Sequence, residues 1–231
     1  LSRTEFPLEH MFREIFDSVL NKMKSNEQLL PSNNGSYITA KQAILARGKA
    51  LIDLLLPEQL TLLFEKEDIH WLNSNITKDR TPELRDYLMS ELSIHEITSE
   101  KFINLFTEKF IEKQSDEWVI KFYNFLLVRR ELWSDYYWSE TSIRNKPFIR
   151  LEDNSHSFPF DSKDKPIVYL PTDYESSFKT VKKVIVQGNG VKEFLENLGI
   201  TEPDEIDEIL HVILPKYIPK EGGIKVSHAD N

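Results

Sequence analysis

Apolar side chains recur every three or four residues through most of the first two-thirds of the chain, a period typical of packed helices. The first run extends from Phe6 to Met23 and predicts a helix with one buried face. Thr39 and Gln42 have the residue types and spacing of a capping box, which predicts a second helix over residues 43–55. Typical helix starts follow at Thr81-Pro82, Thr98-Ser99 and Ser115-Asp116. The first part of the chain is therefore predicted to be a layer of helices.

The pattern changes near Lys146-Pro147, where short runs of β-forming residues alternate with turns. The first run is Phe148–Asp153 and the second is Ile167–Pro171. We therefore predict a mainly α protein with a small antiparallel β element, which is an α+β fold. The predicted organisation is a helical region over residues 1–145, followed by a hairpin-containing α+β region over residues 146–231. We expect the second region to pack on the first as one unit.

Strand alternation assigns a face to each residue of the predicted hairpin. Ile149 and Leu151 are predicted to point inward, whereas Arg150 is predicted to reach solvent or to pair with Glu152. Asn154 is predicted to form the turn, because Asn tolerates a left-handed backbone. The predicted contacts of the inward side chains on the second run are Val168 and Leu170.

Charged residues around this turn form one candidate site, made up of Arg150, Glu152, Asp153 and His156. Neighbouring carboxyl groups can separate their pKa values and so supply an acid and a base. A surface ion pair between Arg150 and Glu152 explains the same residues more simply, and we favour it.

Other common catalytic and metal-binding patterns are absent from the sequence. The chain has no cysteine, which excludes disulfides, thiolate metal sites and cysteine nucleophiles. It has no Gly-x-Ser-x-Gly motif, and none of its histidines lies three or four residues from another. Gln187-Gly188-Asn189-Gly190 lacks the Lys-Ser/Thr of a phosphate loop and is interpreted as an ordinary turn. We therefore predict no catalytic residue, no metal and no cofactor, and hence a chain that is not itself an enzyme.

The charge balance bears on nucleic-acid binding. Asp and Glu outnumber Lys and Arg by 38 to 29, which gives a formal net charge of −9 and disfavours phosphate polymers. Basic residues nevertheless occur at Arg129-Arg130 and at Lys179, Lys182 and Lys183. A winged-helix-like nucleic-acid-binding module of a bacterial defence-type protein therefore remains the alternative function.

A dense aromatic group near the middle of the chain indicates a possible surface for a protein partner. The group consists of Trp133, Tyr136, Tyr137 and Trp138. Three of these residues are consecutive, so they cannot all face one core, and some are expected to contact a partner. No apolar run is long enough to span a membrane, and we expect a cytoplasmic protein.

Several short motifs, in this order, resemble a segment of sacsin-like proteins. They are Leu29-Leu30-Pro31, Lys146–Asp153, Val168–Pro171, Phe194–Gly199 and Ile213–Tyr217. These family members are large, mostly bacterial proteins with an N-terminal ATPase of the chaperone, gyrase and histidine-kinase type. Asn154 stands where they usually have Gly, and Asn permits the same turn.

The resemblance covers the region after the ATPase, and no catalytic residue of the family maps to this chain. It implies a piece of a longer protein, which would couple the ATPase to other domains or hold a client protein, as a chaperone does. The chain also begins at Leu1 within an amphipathic pattern, which we interpret in the same way.

Overall fold

The computed structural model describes residues 9–25, 27–134, 142–172, 178–204 and 214, with side chains from residue 13 onward. The chain divides into two compact units, Leu1–Phe106 and Thr107–Asn231. The predicted fold class is confirmed, since helices predominate and the strands are few and short. The first unit is not a layer of helices alone, because five of these short strands lie within it.

The described part of the first unit contains five helices and five short strands. The helices are α1 (Glu9–Lys24), α2 (Lys49–Leu54), α3 (Pro57–Phe64), α4 (Pro82–Glu91) and α5 (Ser99–Leu105). The strands are β1 (Leu30–Pro31), β2 (Tyr37–Ile38), β3 (Ala43–Ala46), β4 (His70–Trp71) and β5 (Glu96–Ile97). One apolar core of this unit includes Leu30, Ile38, Ala43, Leu45, Leu72, Leu88 and Ile94.

The predicted helix over residues 43–55 is wrong in its first part, because Ala43–Ala46 form the central strand of a parallel sheet. The strand order is β4-β3-β5, and β3 pairs in parallel with both neighbours. The capping box at Thr39 and Gln42 is present, but it opens a single 3₁₀ turn. A short, continuous apolar run suits a strand buried on both faces as well as a helix, so its period could not distinguish the two.

Helix α1 is confirmed, but its predicted buried face is not. Ile15, Phe16 and Val19 are 52%, 51% and 45% exposed. The Phe16 ring meets the edge of Tyr87 at 5.7 Å between centroids, and Met23 packs against the core. The α1 stripe, defined as Ile15, Phe16 and Val19, is therefore apolar surface that stays about half-exposed in the part of the chain that the structure describes.

The second unit has an aromatic core built around its longest described helix. Its elements are α6 (Glu108–Glu112), α7 (Asp116–Leu127), β6 (Ile149–Arg150), β7 (His156–Ser157), α8 (Lys183–Val186) and α9 (Val191–Leu198). Phe148 and Phe194 pack against Tyr123 of α7 with centroids 6.0 Å and 5.4 Å away. The unit boundary therefore precedes α6 and does not coincide with the compositional change near residue 145, because α7 shares a core with the residues that follow it.

The antiparallel element pairs differently from the predicted arrangement. β6 pairs with β7, so that Ile149 lies opposite Ser157 and Arg150 opposite His156. Asn154 forms the turn with a φ of 67°, as predicted. The run Ile167–Pro171 does not pair with β6; its Tyr169 bridges to Thr180 instead.

The glycine turn before α9 is a packing feature. A Cβ at Gly188 would lie 2.8 Å from the Ile120 side chain, and Gly190 has a φ of 75° and faces Asn124. Glycine at these positions lets the α8–α9 turn approach α7 closely. This geometry accounts for Gln187–Gly190 without a phosphate ligand.

Candidate functional site

The predicted surface position of Arg150 is wrong, because the residue is only 5% exposed. Its Nη1 donates to Asp116 Oδ1 at 2.8 Å, and its Nη2 donates to the Gln114 carbonyl at 2.8 Å. Its Nε donates to His156 Nε2 at 3.2 Å. Ile149 and Leu151 are buried, as predicted. Both faces of the strand are thus covered, so alternation could not separate an inner face from an outer one.

Asp116 joins this hairpin to the start of α8. Its Oδ2 accepts a hydrogen bond from Lys182 Nζ at 2.6 Å, and the same amine donates to Asn154 Oδ1 at 2.6 Å. Burial raises the pKa of Asp116, but the hydrogen bonds from Lys182 and Arg150 outweigh it and lower the pKa below its usual value. Asp116 is therefore ionised near neutral pH and forms ion pairs with two cations.

The Tyr123 hydroxyl holds the backbone of the same strand. It donates to the Phe148 carbonyl at 3.1 Å and accepts from the Arg150 amide at 3.2 Å. Burial raises the pKa of Tyr123, so the phenol stays neutral. These bonds satisfy backbone groups that face away from β7.

His156 is kept neutral by its surroundings. Burial, together with the positive charge of Arg150, lowers the pKa of His156 to about 4. Its Nε2 accepts from Arg150, and its buried Nδ1 has no hydrogen-bond partner among the described residues. Because Nε2 is occupied, this ring has no free nitrogen lone pair with which to accept a substrate proton.

The remaining candidate hairpin residues have local structural roles. Glu152 Oε2 accepts from the Lys183 amide at 3.0 Å, at the first residue of α8. Asp153 Oδ1 accepts from the Ser155 amide at 2.9 Å and from the Ser155 hydroxyl at 2.6 Å, and these bonds lower the pKa of Asp153. Glu152 does not pair with Arg150, so the predicted surface ion pair is absent. Of the four candidate residues, Arg150 and His156 contact each other, while Glu152 and Asp153 contact separate partners.

Trp133, one of the predicted partner-surface residues, belongs to the core of the second unit. It is 4% exposed, its Nε1 donates to the Leu126 carbonyl at 2.7 Å, and its ring meets Phe194 at 5.7 Å. Its assignment to an exposed partner surface is therefore wrong. Tyr136, Tyr137 and Trp138 lie outside the described residues.

A second charged cluster, which sequence analysis missed, lies in the first unit around Glu96 of β5. The Glu96 cluster consists of Glu96, Arg47, Arg85 and Lys101. Glu96 is buried, its Oε1 accepts from Arg85 Nε at 3.0 Å, and Arg85 Nη2 lies 2.6 Å from the same oxygen in an ion pair. Its Oε2 accepts from Arg47 Nε at 2.8 Å, and Arg47 Nη2 lies 2.7 Å from the same oxygen in an ion pair. Lys101 Nζ donates to the Glu96 carbonyl at 3.0 Å.

Electrostatics keep the Glu96 carboxylate charged. Burial raises the pKa of Glu96, but the hydrogen bonds from Arg85 and Arg47 outweigh burial and lower it. Arg85 is buried with Glu96, whereas the Arg47 side chain is 52% exposed. Arg85 and Lys101 lie within 11 residues of Glu96 along the chain, whereas Arg47 lies 49 residues away and is brought to it only by the pairing of β3 with β5.

Within the described ranges, no group of three or more His, Asp or Glu residues could hold a metal ion. The described helices also include none that is long and apolar enough to cross a membrane. No family model, curated protein or solved structure matches the chain.

Proposed function

We propose that this chain is a non-catalytic interaction module of a larger sacsin-like protein of bacteria. In this proposal it couples an ATPase domain of the parent protein to partner or client binding in the cytoplasm. The observation that carries the proposal is the α1 stripe, where Ile15, Phe16 and Val19 are half-exposed on successive turns of one helix. An amphipathic helix with such a stripe can dock into an apolar groove of a protein partner.

The Arg150 cluster, defined as Arg150, Asp116, Lys182 and His156, supports a non-catalytic role. Arg150 directs all three of its nitrogen atoms at protein acceptors. The one ring nitrogen of His156 that can accept a proton, Nε2, already accepts a hydrogen bond from Arg150. A catalytic acid or base needs an atom that can reach the substrate proton. We therefore expect no phosphate release when the purified chain is incubated with ATP and Mg²⁺. Turnover that a point substitution in the chain abolishes would contradict the proposal.

The alternative nucleic-acid function receives no support from Lys182. Its amine donates to Asp116 and Asn154 and is largely buried, so it is not available for a phosphate backbone. A gel-shift titration with duplex DNA near physiological salt tests the alternative directly. We expect no shift at low-micromolar protein, and a salt-sensitive shift would favour the nucleic-acid module.

The docking role is tested with the ATPase domain that the proposal places in the same parent protein. Binding of that purified domain to this chain is measured by isothermal titration calorimetry. Val19→Asp places a charge on the α1 stripe and is expected to weaken binding at least about tenfold. Ser18→Asp adds the same charge to an exposed polar position next to it and serves as the matched control.

The proposal requires loss of binding with Val19→Asp and near-normal binding with Ser18→Asp, with unchanged circular dichroism for both variants. A parent reading frame without an ATPase domain would overturn it. Equal effects of the two substitutions, or no binding by the unmodified chain, would also overturn it.

A further inference from the structure

We propose that the Glu96 cluster is a binding site for a phosphate oxyanion, which Arg47 and Lys101 contact at the carboxyl end of the parallel sheet. This inference concerns the first unit and does not depend on the interaction-module proposal.

The strand order places the cluster where ligands commonly bind in sheets of this kind. β3 is the central strand; the chain passes from it to β4 on one side and then crosses to β5 on the other. The two connections therefore leave β3 on opposite sides of the sheet. In open α/β sheets, ligands bind outside the carboxyl ends of the strands at such a reversal of strand order. Arg47 follows β3 directly, and its amide donates to the carbonyl of Ile97, the last residue of β5.

The charges of the cluster do not cancel. Glu96 is the buried carboxylate, and its contacts are Arg85, Arg47 and Lys101, the last through the backbone carbonyl. Arg85 also pairs with the exposed Asp86 at 3.3 Å. Three cations therefore face two carboxylates, which leaves one positive charge in a chain whose formal net charge is −9. The Arg150 cluster has the same excess of cations, but its cations are largely buried against protein acceptors. In the Glu96 cluster part of the positive charge lies on the half-exposed Arg47, where an anionic ligand can reach it.

The geometry holds Arg47 ready for a ligand. Two of its guanidinium nitrogens, Nε and Nη2, are fixed on Glu96 Oε2, so the buried carboxylate sets the orientation of the side chain. Its Nη1 has no partner among the described residues, and about half of the side chain is exposed. A planar guanidinium with a free edge suits two oxygens of a phosphate group, and the Lys101 ammonium can supply a further charge. Inorganic phosphate and a phosphomonoester share this chemistry.

The test titrates the intact chain with inorganic phosphate and, separately, with phosphoserine, against sodium chloride of matched ionic strength. Heteronuclear NMR follows the Arg47 Nε–H signal. We expect this signal to shift and saturate with a dissociation constant of about 1 mM or below for at least one of the two phosphates. Similar affinity for both would show that the phosphoryl group alone is recognised, and tighter binding of phosphoserine would identify a phosphomonoester.

Variants separate a specific site from general charge. Arg47→Gln keeps the Arg85 pair on Glu96 and is expected to weaken phosphate binding at least about tenfold, as loss of a charge-assisted hydrogen bond requires. Arg80→Gln removes an arginine whose contact is with Asn75 and is the matched control, with affinity expected to stay within about twofold. Calorimetric titration measures both.

Lys101→Gln leaves the Arg47–Glu96 pair intact and keeps the proposal testable if Arg47→Gln fails to fold. It is expected to weaken binding by about fivefold or more. The proposal is overturned if neither phosphate shifts the Arg47 signal at about 10 mM ligand. It is equally overturned if Arg80→Gln weakens binding as much as Arg47→Gln or Lys101→Gln.

Discussion

The two charged clusters of this protein use the same kinds of side chain to different ends. In the Arg150 cluster a buried arginine gives all its donor nitrogens to protein acceptors, and Asp116 pairs with both Arg150 and Lys182. In the Glu96 cluster a buried carboxylate holds one buried arginine, Arg85, and one half-exposed arginine, Arg47. Burial of charge costs stability unless it is paired, so both clusters must be internally bonded. The difference is that the Glu96 cluster includes a half-exposed arginine, Arg47, whereas Arg150 is buried.

Among the substitutions in the two clusters, Arg150→Gln should cause the largest loss of stability. It removes the ion pair with Asp116 and leaves the Gln114 carbonyl and His156 Nε2 without their charged donor. We expect a loss of about 3–5 kcal/mol in the free energy of unfolding, measured by urea denaturation. A loss below about 1 kcal/mol would mean that the buried contacts of Arg150 contribute little to stability.

Glu96→Gln should be the next most damaging substitution. It leaves the buried Arg85 guanidinium with the exposed Asp86 as its remaining carboxylate, while Arg47 can turn to solvent. The expected loss is about 2–3 kcal/mol in the same urea experiment. An unchanged midpoint would show that Arg85 does not need this partner.

The pH dependence of stability should separate the clusters because only the Arg150 cluster contains a histidine. The pKa of His156 is about 4 in the folded chain, below the value of about 6.5 in an unfolded chain, so the unfolded chain takes up the proton first. Stability is therefore lost as the pH falls from about 6.5 to 4, by no more than about 1–2 kcal/mol because solvent screens the partly exposed ring.

Urea melts at pH 7 and pH 5 measure this loss, and His156→Gln should reduce it. The lowered pKa values of Asp116 and Glu96 add their own losses at more acidic pH, as pH falls through their folded-state values. Identical pH profiles for the His156→Gln variant and the unmodified chain would contradict the role given to His156.

Arg47→Gln should have the smallest effect on stability. Arg47 is half-exposed, and Glu96 keeps Arg85 when the Arg47 guanidinium is removed. We expect a change below about 1 kcal/mol in the free energy of unfolding. The same substitution would then cost far more at Arg150 than at Arg47, and similar losses at the two positions would remove the distinction between the clusters.

Local features of the fold could be predicted because their causes lie within a few residues. Ser115 is the N-cap of α7, and its side chain accepts from the Trp118 amide. Thr98 is the N-cap of α5, and its side chain accepts from the Lys101 amide. Asn154 has the left-handed backbone that its short polar side chain tolerates. Helix α1 is present as predicted, although the sequence pattern could not show whether anything covers its apolar stripe.

The sequence alone determined the starts of α4, α5 and α7, the Asn154 turn, the acidic charge and the mainly helical class of this protein, since each depends on composition or on neighbours along the chain. Only the tertiary structure decided that Ala43–Ala46 form a central strand, that Arg150 is buried and that Glu96 gathers cations. Arg150 finds Asp116 34 residues away, and Glu96 finds Arg47 49 residues away. Such pairings depend on which elements pack together, because a charged residue is stable in the interior only where the fold brings a partner to it.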